Sequence, residues 1–495
     1  MKQSVKCDKS LTFQECELAI LRSAVDLAET KMGKRLVNTP EVQEMIQIVE
    51  DFLKQKSLIC YGGVAIDALL PEQDKIYDKD AELSDYDFYS PNALDDAKEL
   101  ADIYAKKGYT EVEAKAGAHK GTFKVYCNFL GVADITYIPP ELFNALKRDA
   151  VRVKGIMYCP ANFLKMAMYL ELSRPAGQID RFEKVFKRLN LLNKYYPLKT
   201  VDCHDIDYQR EMNDISHEDD IYKVVRDTFV NQGVVFFGGY AINLYSHYMP
   251  KQLQQKVKNI PDFDVLSNDP ETTCDIIEER LAEIGIKTVK IIKHEPVGEI
   301  IPEHHEIIVG KDSVAFVYKP IACHSYNVIN INGQKVKVAT IDTMLNFYLA
   351  FLYADREYYN EFAERTLCMA KFLFDVQQKN RLEQKGLLRR FSITCYGHQE
   401  SVTEMREHKN KIYSELKSKK GNKEYDDWFL NYKPAVKKGD EVQTEKKDDG
   451  VRTEKKAPFE KAQKKKKRKA TKKRKSFFGI YYSTNNTTKR KKRKY

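Results

Sequence analysis

Three aspartates stand where their side chains could act together. Asp85 and Asp87 alternate in the segment Ser-Asp-Tyr-Asp-Phe, and Asp134 interrupts the apolar run Val132-Ala-Asp-Ile135. Alternate residues of a strand share a face, so Asp85 and Asp87 would project together. Adjacent carboxylates repel unless a cation lies between them, and Mg²⁺ is a hard ion that takes carboxylate oxygens. With Asp134 on a neighbouring strand, three such groups could hold two ions about 4 Å apart, an arrangement that performs phosphoryl transfer.

A glycine pair precedes the aspartates. Gly62-Gly63 follows the apolar run 58–61 and opens a predicted helix over 64–70. Backbone N–H groups at a helix N-terminus attract anions, and glycine leaves room for a phosphate to approach the backbone. Strand, glycine pair, helix and aspartate strand in this order predict a triphosphate cradle beside the carboxylates.

The same pattern occurs twice in the chain. Gly238-Gly239 repeats the glycine pair after 176 residues, and Asp262-Phe-Asp264 repeats the aspartates after 177. This steady offset indicates a duplicated unit. The second copy has Phe316 where the first has Asp134. We therefore expect one competent module and one degenerate module, in which Asp262 and Asp264 are relics or structural residues and the domain has a packing or substrate-cradling role.

Hydrophobic periodicity supplies the elements around these motifs. A helix is predicted from Pro40, then strand 58–61, the aspartate strand, a helix over 94–107 and a hairpin over 121–138. The second copy repeats the order β-α-β-α-β-β, and each copy closes with a basic strand and an apolar helix. The predicted fold is α/β (α+β) with two tandem modules and flanking helices.

Charge is distributed unevenly. Of the net +11, residues 451–495 hold 20 Lys/Arg against two Glu, which leaves the first 450 residues at −7. The tail carries three basic clusters (464–469, 472–475 and 489–494) around Phe477-Phe-Gly-Ile-Tyr-Tyr482. Such a tail is typical of RNA contact, with nuclear import or a solubilising end as alternatives. The predicted domains are 1–54 (helical), 55–200 (catalytic), 201–433 (degenerate module with C-terminal helices) and 434–495 (disordered basic tail).

Cysteine usage and hydropathy exclude other classes. Ten cysteines without a Cys-x-x-Cys pair, after a polar start, predict reduced intracellular thiols and no structural zinc. No apolar stretch approaches the roughly 20 residues that span a bilayer, so we expect an intracellular protein without membrane contact.

The motifs resemble the nucleotidyltransferase superfamily of DNA polymerase beta. The tandem arrangement, with SDYDFYS and GVADITYIP in the first copy, further resembles the poly(A) polymerase catalytic subunits of poxviruses and other large DNA viruses. The resemblance implies that the three aspartates are the catalytic metal ligands for two Mg²⁺ ions, with Mn²⁺ as an alternative. It also implies that Gly62 and Gly63 bind the triphosphate of ATP. Lys154 and Lys165 are further candidates for phosphate or ribose contact. Lys337 is read as the counterpart of Lys154, and Tyr348 as that of Lys165.

The implied reaction is attack by an RNA 3′-hydroxyl on the α-phosphate of ATP, with Asp134 as the expected proton acceptor. A same-fold enzyme with another nucleotide or acceptor, and a non-catalytic RNA-binding subunit, stay open. Expected partners are ATP and an RNA 3′ end; a homodimer and a viral processivity partner are both open. The expected location is the host-cell cytoplasm or a virus factory, with virion packaging and nuclear import as alternatives. The residues do not decide base selectivity or the adenine pocket.

Overall fold

Helices and short strands alternate along both halves of the chain. The computed structural model describes residues 12–37, 39–77, 85–199, 203, 206, 208, 217–254, 257, 261–356, 359 and 362–435. The helices are α1 (Phe13–Val37), α2 (Pro40–Lys56), α3 (Gly62–Leu69), α4 (Ala93–Lys106), α5 (Pro140–Asp149), α6 (Ala161–Leu172), α7 (Phe182–Tyr195), α8 (Glu218–Gln232), α9 (Gly239–Tyr245), α10 (Lys251–Gln254), α11 (Pro270–Glu283), α12 (Ile341–Phe351), α13 (Ala363–Lys379), α14 (Val402–Leu416) and α15 (Lys423–Phe429).

The strands of the first half are β1 (Ile59–Cys60), β2 (Tyr86–Ser90), β3 (Val112–Ala116), β4 (Thr122–Cys127), β5 (Leu130–Tyr137), β6 (Val151–Val153) and β7 (Ile156–Tyr158). Those of the second half are β8 (Val235–Phe236), β9 (Phe263–Leu266), β10 (Val289–His294), β11 (His304–Val309), β12 (Asp312–Tyr318), β13 (His324–Ile331), β14 (Gln334–Ala339), β15 (Cys395–Tyr396) and β16 (Asn431–Tyr432).

Two mixed sheets repeat one strand order. The first sheet runs β16-β3-β4-β5-β2-β1-β7-β6 and the second β10-β11-β12-β9-β8-β14-β13-β15. Without β16 and β15 at their edges, the two orders correspond strand for strand. The duplication and the mixed α/β fold predicted from sequence are therefore confirmed. Strands β3 and β10 were not predicted, because Val-Glu-Ala-Lys-Ala and Val-Lys-Ile-Ile-Lys-His carry residues that are depleted in strands.

Helices α2 and α4 cover one face of the first sheet. The ring of Phe52 on α2 lies against Phe88, with ring centroids 6.4 Å apart. The hydroxyl of Tyr86 donates to Glu50 Oε1 at 2.8 Å. Thr39 caps the N-terminus of α2, as the Thr-Pro start predicts. Because strand side chains alternate, Asp87 projects from the opposite face, which we call the aspartate face.

Helices α6 and α12, one from each module, pack together. All 11 residues of α12 are buried, and the Asn346 side chain donates to the Met166 carbonyl on α6 at 3.2 Å. These are the apolar closing helices that the sequence predicts for each copy. Their contact joins the two sheets within the compact unit that holds the described residues up to 435.

The C-terminal segment returns to the first sheet. β16 pairs with β3 through Asn431–Lys115 and Tyr432–Ala114. The sequence placed this strand with the second module, in the range 201–433, and the backbone pairing now places it beside the first. The other domain boundaries stay predictions. The basic tail, predicted to be disordered, lies outside the described residues.

The prediction of reduced thiols is wrong for several cysteines. Cys203 is bonded to Cys368, and Cys323 to Cys395, which ties β15 to the start of β13. Cys16 is also disulfide-bonded. Scattered cysteines reveal no pairing by spacing alone, because only the fold brings residues 72 and 165 positions apart together. Within the described ranges, no helix is both long and apolar enough to cross a bilayer.

Candidate active site

Asp87 and Asp134 are direct neighbours across two parallel strands. β2 and β5 pair in the register Asp87–Asp134, and Asp85 lies one residue before β2. Directly paired residues of adjacent strands share a face of the sheet. The prediction that the Asp85–Asp87 pair and Asp134 would meet on one face of the sheet therefore agrees with the backbone pairing.

The glycine turn lies directly against the aspartates. A Cβ on Gly62 would stand 2.4 Å from Asp87 Oδ2, and the φ of this residue is +66°. A Cβ on Gly63 would stand 2.0 Å from the hydroxyl of Tyr77. Gly62 therefore requires glycine for its backbone conformation, and a side chain on Gly63 would displace the hydroxyl of Tyr77, in addition to the phosphate access inferred from sequence. The Tyr61 amide donates to the Asp87 carbonyl at 2.9 Å and fixes the turn to the aspartate strand.

Burial and like charge raise the pKa of Asp87. Burial contributes most, followed by the carboxylates of Asp85 and Asp134, and together they raise the pKa of Asp87 to about 7. Burial also raises the pKa of Asp134, against the opposing effect of Lys124. Clustered carboxylates with raised pKa values are typical of functional sites.

Lys124 on β4 was not singled out from the sequence. Its ammonium forms an ion pair with Asp134 Oδ2, and the two residues pair across β4 and β5. Burial is the largest single influence and lowers the pKa of Lys124, but the hydrogen bond with Asp134 and the nearby charges, chiefly that of Asp134, together outweigh it, so the pKa is raised. The hairpin was predicted over 121–138 with its break at Gly131; in the structure the chain turns at residues 128–129, and this register sets residue 124 opposite residue 134.

The three carboxylates have the oxygen chemistry that Mg²⁺ prefers, and their mutual repulsion gives a cation a reason to bind. As the side chains stand, however, no group of three or more His, Cys, Asp or Glu in the described ranges converges closely enough to hold a metal ion. The Lys124 ion pair gives Asp134 a different partner. The donor set fits the metal, and the two-ion site stays a proposal.

Two arginines, Arg181 just before α7 and Arg188 on α7, lie near the aspartates and the glycine turn. Arg181 is among the charges that lower the pKa of Asp87, and its guanidinium lies 3.2 Å from Glu171 Oε1. Arg188 donates to the hydroxyl of Tyr77 at 3.0 Å. Since Tyr77 lies over Gly63, Arg188 is placed near the glycine turn. Neither arginine was predicted, because α7 lies about 120 residues from the motif in sequence and only the fold brings them together.

The two predicted lysines lie elsewhere. Lys165 is fully buried and its ammonium donates to the Tyr196 carbonyl at 2.8 Å, so contact with a nucleotide would require this bond to break. Lys154 is exposed at the tip of the β6–β7 turn, where its φ is +50°. The structure does not show either lysine in contact with the aspartates.

The proposed counterparts of these lysines are wrong. Met157 pairs with Ile59 and Lys337 pairs with Val235, so Lys337 corresponds to Met157 on β7. Helices α6 and α12 begin after Pro160 and Thr340, which aligns Lys165 with Leu345. The counterpart of Lys154 was misjudged because the chain turns at Gly155 and a second strand, β7, which was not predicted, begins at Ile156.

The second module reproduces the backbone of the site without its third carboxylate. β9 and β12 pair in the register Asp264–Phe316, and Phe316 is 2% exposed. The glycine turn is as tight as in the first module: a Cβ on Gly238 would stand 1.7 Å from Asp264 Oδ2. The replacement of Asp134 by Phe316, inferred from offsets, is confirmed by strand pairing.

Sheet order and site geometry together define a tandem nucleotidyltransferase-like fold. Residues 47–178 match the model of the family described as poly(A) polymerase catalytic subunit. The segment is 33% identical over 179 residues to a protein provisionally assigned as a poly(A) polymerase catalytic subunit in African swine fever virus (strain Badajoz 1971 Vero-adapted), covering 35% of this chain and 37% of that one. A protein with the same provisional assignment in Acanthamoeba polyphaga mimivirus is 33% identical over 182 residues, covering 35% of this chain and 30% of that one.

The fold matches over a longer range. The crystal structure of the Megavirus polyadenylate synthase superposes with a TM-score of 0.69 at 20% identity, covering 88% of each chain. The chain thus shares the fold of that protein. The sequence matches span only about a third of the length of the curated relatives. The resemblance stated from the motifs is confirmed for the segment that contains all three aspartates and both glycines.

Proposed function

We propose that this chain is a template-independent polynucleotide adenylyltransferase that adds AMP from ATP to an RNA 3′-hydroxyl. The observation that carries the proposal is the pairing of Asp87 with Asp134 beside the Gly62-Gly63 turn. The family model over residues 47–178 supports the nucleotide and the acceptor class.

Asp85, Asp87 and Asp134 would hold the divalent ions. When bound, such ions activate the attacking hydroxyl and stabilise the charge of the leaving pyrophosphate. The amides at the start of α3 would bind the triphosphate, and Arg188 would add positive charge near the glycine turn.

The reaction proceeds by displacement at the α-phosphorus. The RNA 3′-oxygen forms a bond to it, the bond to the bridging oxygen of the β-phosphate breaks, and pyrophosphate leaves. Asp134 accepts the hydroxyl proton, and its ion pair with Lys124 favours the ionised carboxylate that acceptance requires. Most of the rate enhancement comes from positioning and charge stabilisation, since no covalent intermediate is formed.

Incubation of the full chain with an RNA primer, Mg²⁺ and each NTP in turn tests this proposal. We expect extension with ATP and its loss in the double variant Asp85→Asn/Asp87→Asn. The matched control is Asp262→Asn/Asp264→Asn in the degenerate module, which should extend the primer as the wild type does. Extension that persists in the first double variant would refute the site, and extension with a different nucleotide would support the same-fold alternative.

A further inference from the structure

The aspartate face of the first sheet continues as a line of side chains beyond the aspartates. Asp87, Asp134, Lys124 and Lys115 occupy directly paired positions on β2, β5, β4 and β3. Directly paired residues project from one face, so the four side chains form a row across the sheet. With strands about 4.8 Å apart, the row extends roughly 14 Å from Asp87 to Lys115. We call Lys124 and Lys115 the basic row.

The glycine turn lies at the other end of this line. In the sheet order β3-β4-β5-β2-β1, the turn follows β1 and the basic row lies on β4 and β3. The aspartates stand between them. In a phosphoryl transfer, the attacking and leaving oxygens lie on opposite sides of the phosphorus, roughly in line. If the triphosphate lies at the glycine turn, the attacking strand approaches from the side of the basic row.

Both lysines are accessible, and the present partner of Lys115 is a weak competitor for a phosphate. The side chains of Lys115 and Lys124 are 44% and 39% exposed. Lys115 pairs with Glu113 on its own strand, and Lys124 pairs with Asp134. An exposed ion pair such as Lys115–Glu113 contributes little to stability, so exchange for a phosphate is inexpensive.

One aromatic side chain lies beside the basic row and a second lies farther along the same hairpin. The Lys115 ammonium is 5.8 Å from the centre of the Tyr126 ring. Phe129, at the β4–β5 turn, is 82% exposed. The Tyr126 and Phe129 side chains both line a cavity of about 150 Å³, whose other lining residues include Tyr109, Glu113 and Lys433. Cations next to exposed rings are the usual components of a single-strand nucleic-acid site, where phosphates bind the charges and bases stack on the rings.

We propose that the basic row, together with Phe129, binds the 3′-terminal segment of the RNA primer and directs its hydroxyl to Asp134. This rests on the proposed function for the identity of the attacking strand. Lys115 is a positioning residue in this scheme, since it touches neither ATP nor the reacting atoms.

Equilibrium binding of a fluorescein-labelled oligoadenylate of about 15 nucleotides, measured by anisotropy from roughly 50 to 200 mM salt, tests the proposal. For Lys115→Gln we expect about threefold to fivefold weaker binding. The slope of log affinity against log salt should fall by about 0.7, the value for one lost phosphate contact on a single strand. Lys115→Arg should restore both quantities. The control Lys106→Gln removes an exposed charge from α4, on the opposite face, and should leave them unchanged.

Phe129→Ala separates stacking from charge. We expect at least about fivefold weaker binding with an unaltered salt slope, because a ring stacks on a base without displacing counterions. An exposed turn residue contributes little to the core, so this variant should fold normally.

Binding of a fluorescent ATP analogue and primer extension complete the test. Lys115→Gln should raise the KM for primer and leave ATP binding unchanged. A Lys115→Gln variant with wild-type primer affinity and salt slope would overturn the proposal, even if the wild type polymerises adenylate. Weaker binding of RNA and ATP alike would also overturn it. A wild type that extends no primer, with weaker RNA binding in Lys115→Gln, would instead refute the proposed function and support the RNA contact.

Discussion

The two modules share a backbone and differ at one strand position. In the first, Asp87 faces Asp134 across paired strands; in the second, Asp264 faces Phe316. In both glycine turns the first glycine lies so close to the aspartate strand that follows it in the chain that a Cβ would overlap the carboxylate of Asp87 or Asp264. Because the module without a third carboxylate keeps both the Gly-Gly and the Asp-x-Asp motifs, these motifs are structural parts of the turn as well as candidates for chemistry. The third carboxylate is therefore the residue that separates a site from a scaffold.

Asp87→Asn should have the largest effect on this comparison. Loss of one of the three charges should lower the rate of primer extension by roughly a thousandfold or more, because charge stabilisation supplies most of the catalysis. Asp264→Asn makes the same change in the second module and should alter the rate by less than about twofold. Comparable losses in both variants would show that the second module takes part in the chemistry.

Phe316→Asp restores a third carboxylate to the second module and should unfold it before it could act. Phe316 is buried among rings, with the centroid of His304 6.1 Å away. Loss of the ring costs about 3–5 kcal/mol of the free energy of unfolding, and a buried charge adds to that. Urea denaturation measures the loss, and Phe316→Leu, which keeps an apolar side chain, should cost about a third as much. A stable Phe316→Asp variant that gains Mg²⁺ binding would contradict this interpretation.

Stability against pH should report the burial of the Asp87 carboxyl without any assay of activity. The folded-state pKa of Asp87 is raised to about 7, chiefly by burial, whereas an unfolded aspartate titrates near 4. The folded state therefore binds more protons between these values, and its stability falls as pH rises from about 4 to 7. Asp87→Asn should remove this slope and, at pH 8 without divalent ions, raise the free energy of unfolding by on the order of 1–3 kcal/mol.

Thermal denaturation with and without Mg²⁺ extends the comparison of wild type with Asp87→Asn. An ion that binds only the folded site raises Tm, and the gain grows with the logarithm of the ion concentration above its dissociation constant. The wild type should therefore gain thermal stability from Mg²⁺ at pH 8, and Asp87→Asn should gain less. Equal gains would place the stabilising ion elsewhere in the protein.

Much of this site was predictable because motif spacing constrains strand order. Nearly constant offsets of 176, 177 and 182 residues predicted the paired modules, and the lone Asp134 in an apolar strand predicted the Asp87–Asp134 neighbours. Contacts between distant segments were not predictable: Arg188 reaches Tyr77, and Cys323 reaches Cys395, only through the fold. Lys124 lies between these two cases of predictability. The predicted hairpin brought its strand next to that of Asp134, but by composition alone a strand lysine looks like a solvated residue.

Substitution of Lys165 should have the smallest effect on activity. It tests whether a residue that differs between the two modules must have a function. It aligns with Leu345 in the degenerate copy, and both side chains are fully buried. Burial lowers the pKa of Lys165 to about 8, from an unfolded value near 10.4. The unfolded state therefore binds more protons between these values, and this residue makes stability rise with pH from about 8 to 10. Lys165→Met should remove that slope and leave the KM for ATP within about twofold of wild type, because a methionine fills the same apolar space without the ammonium. A selective rise in the KM for ATP with unchanged stability would return Lys165 to the nucleotide site.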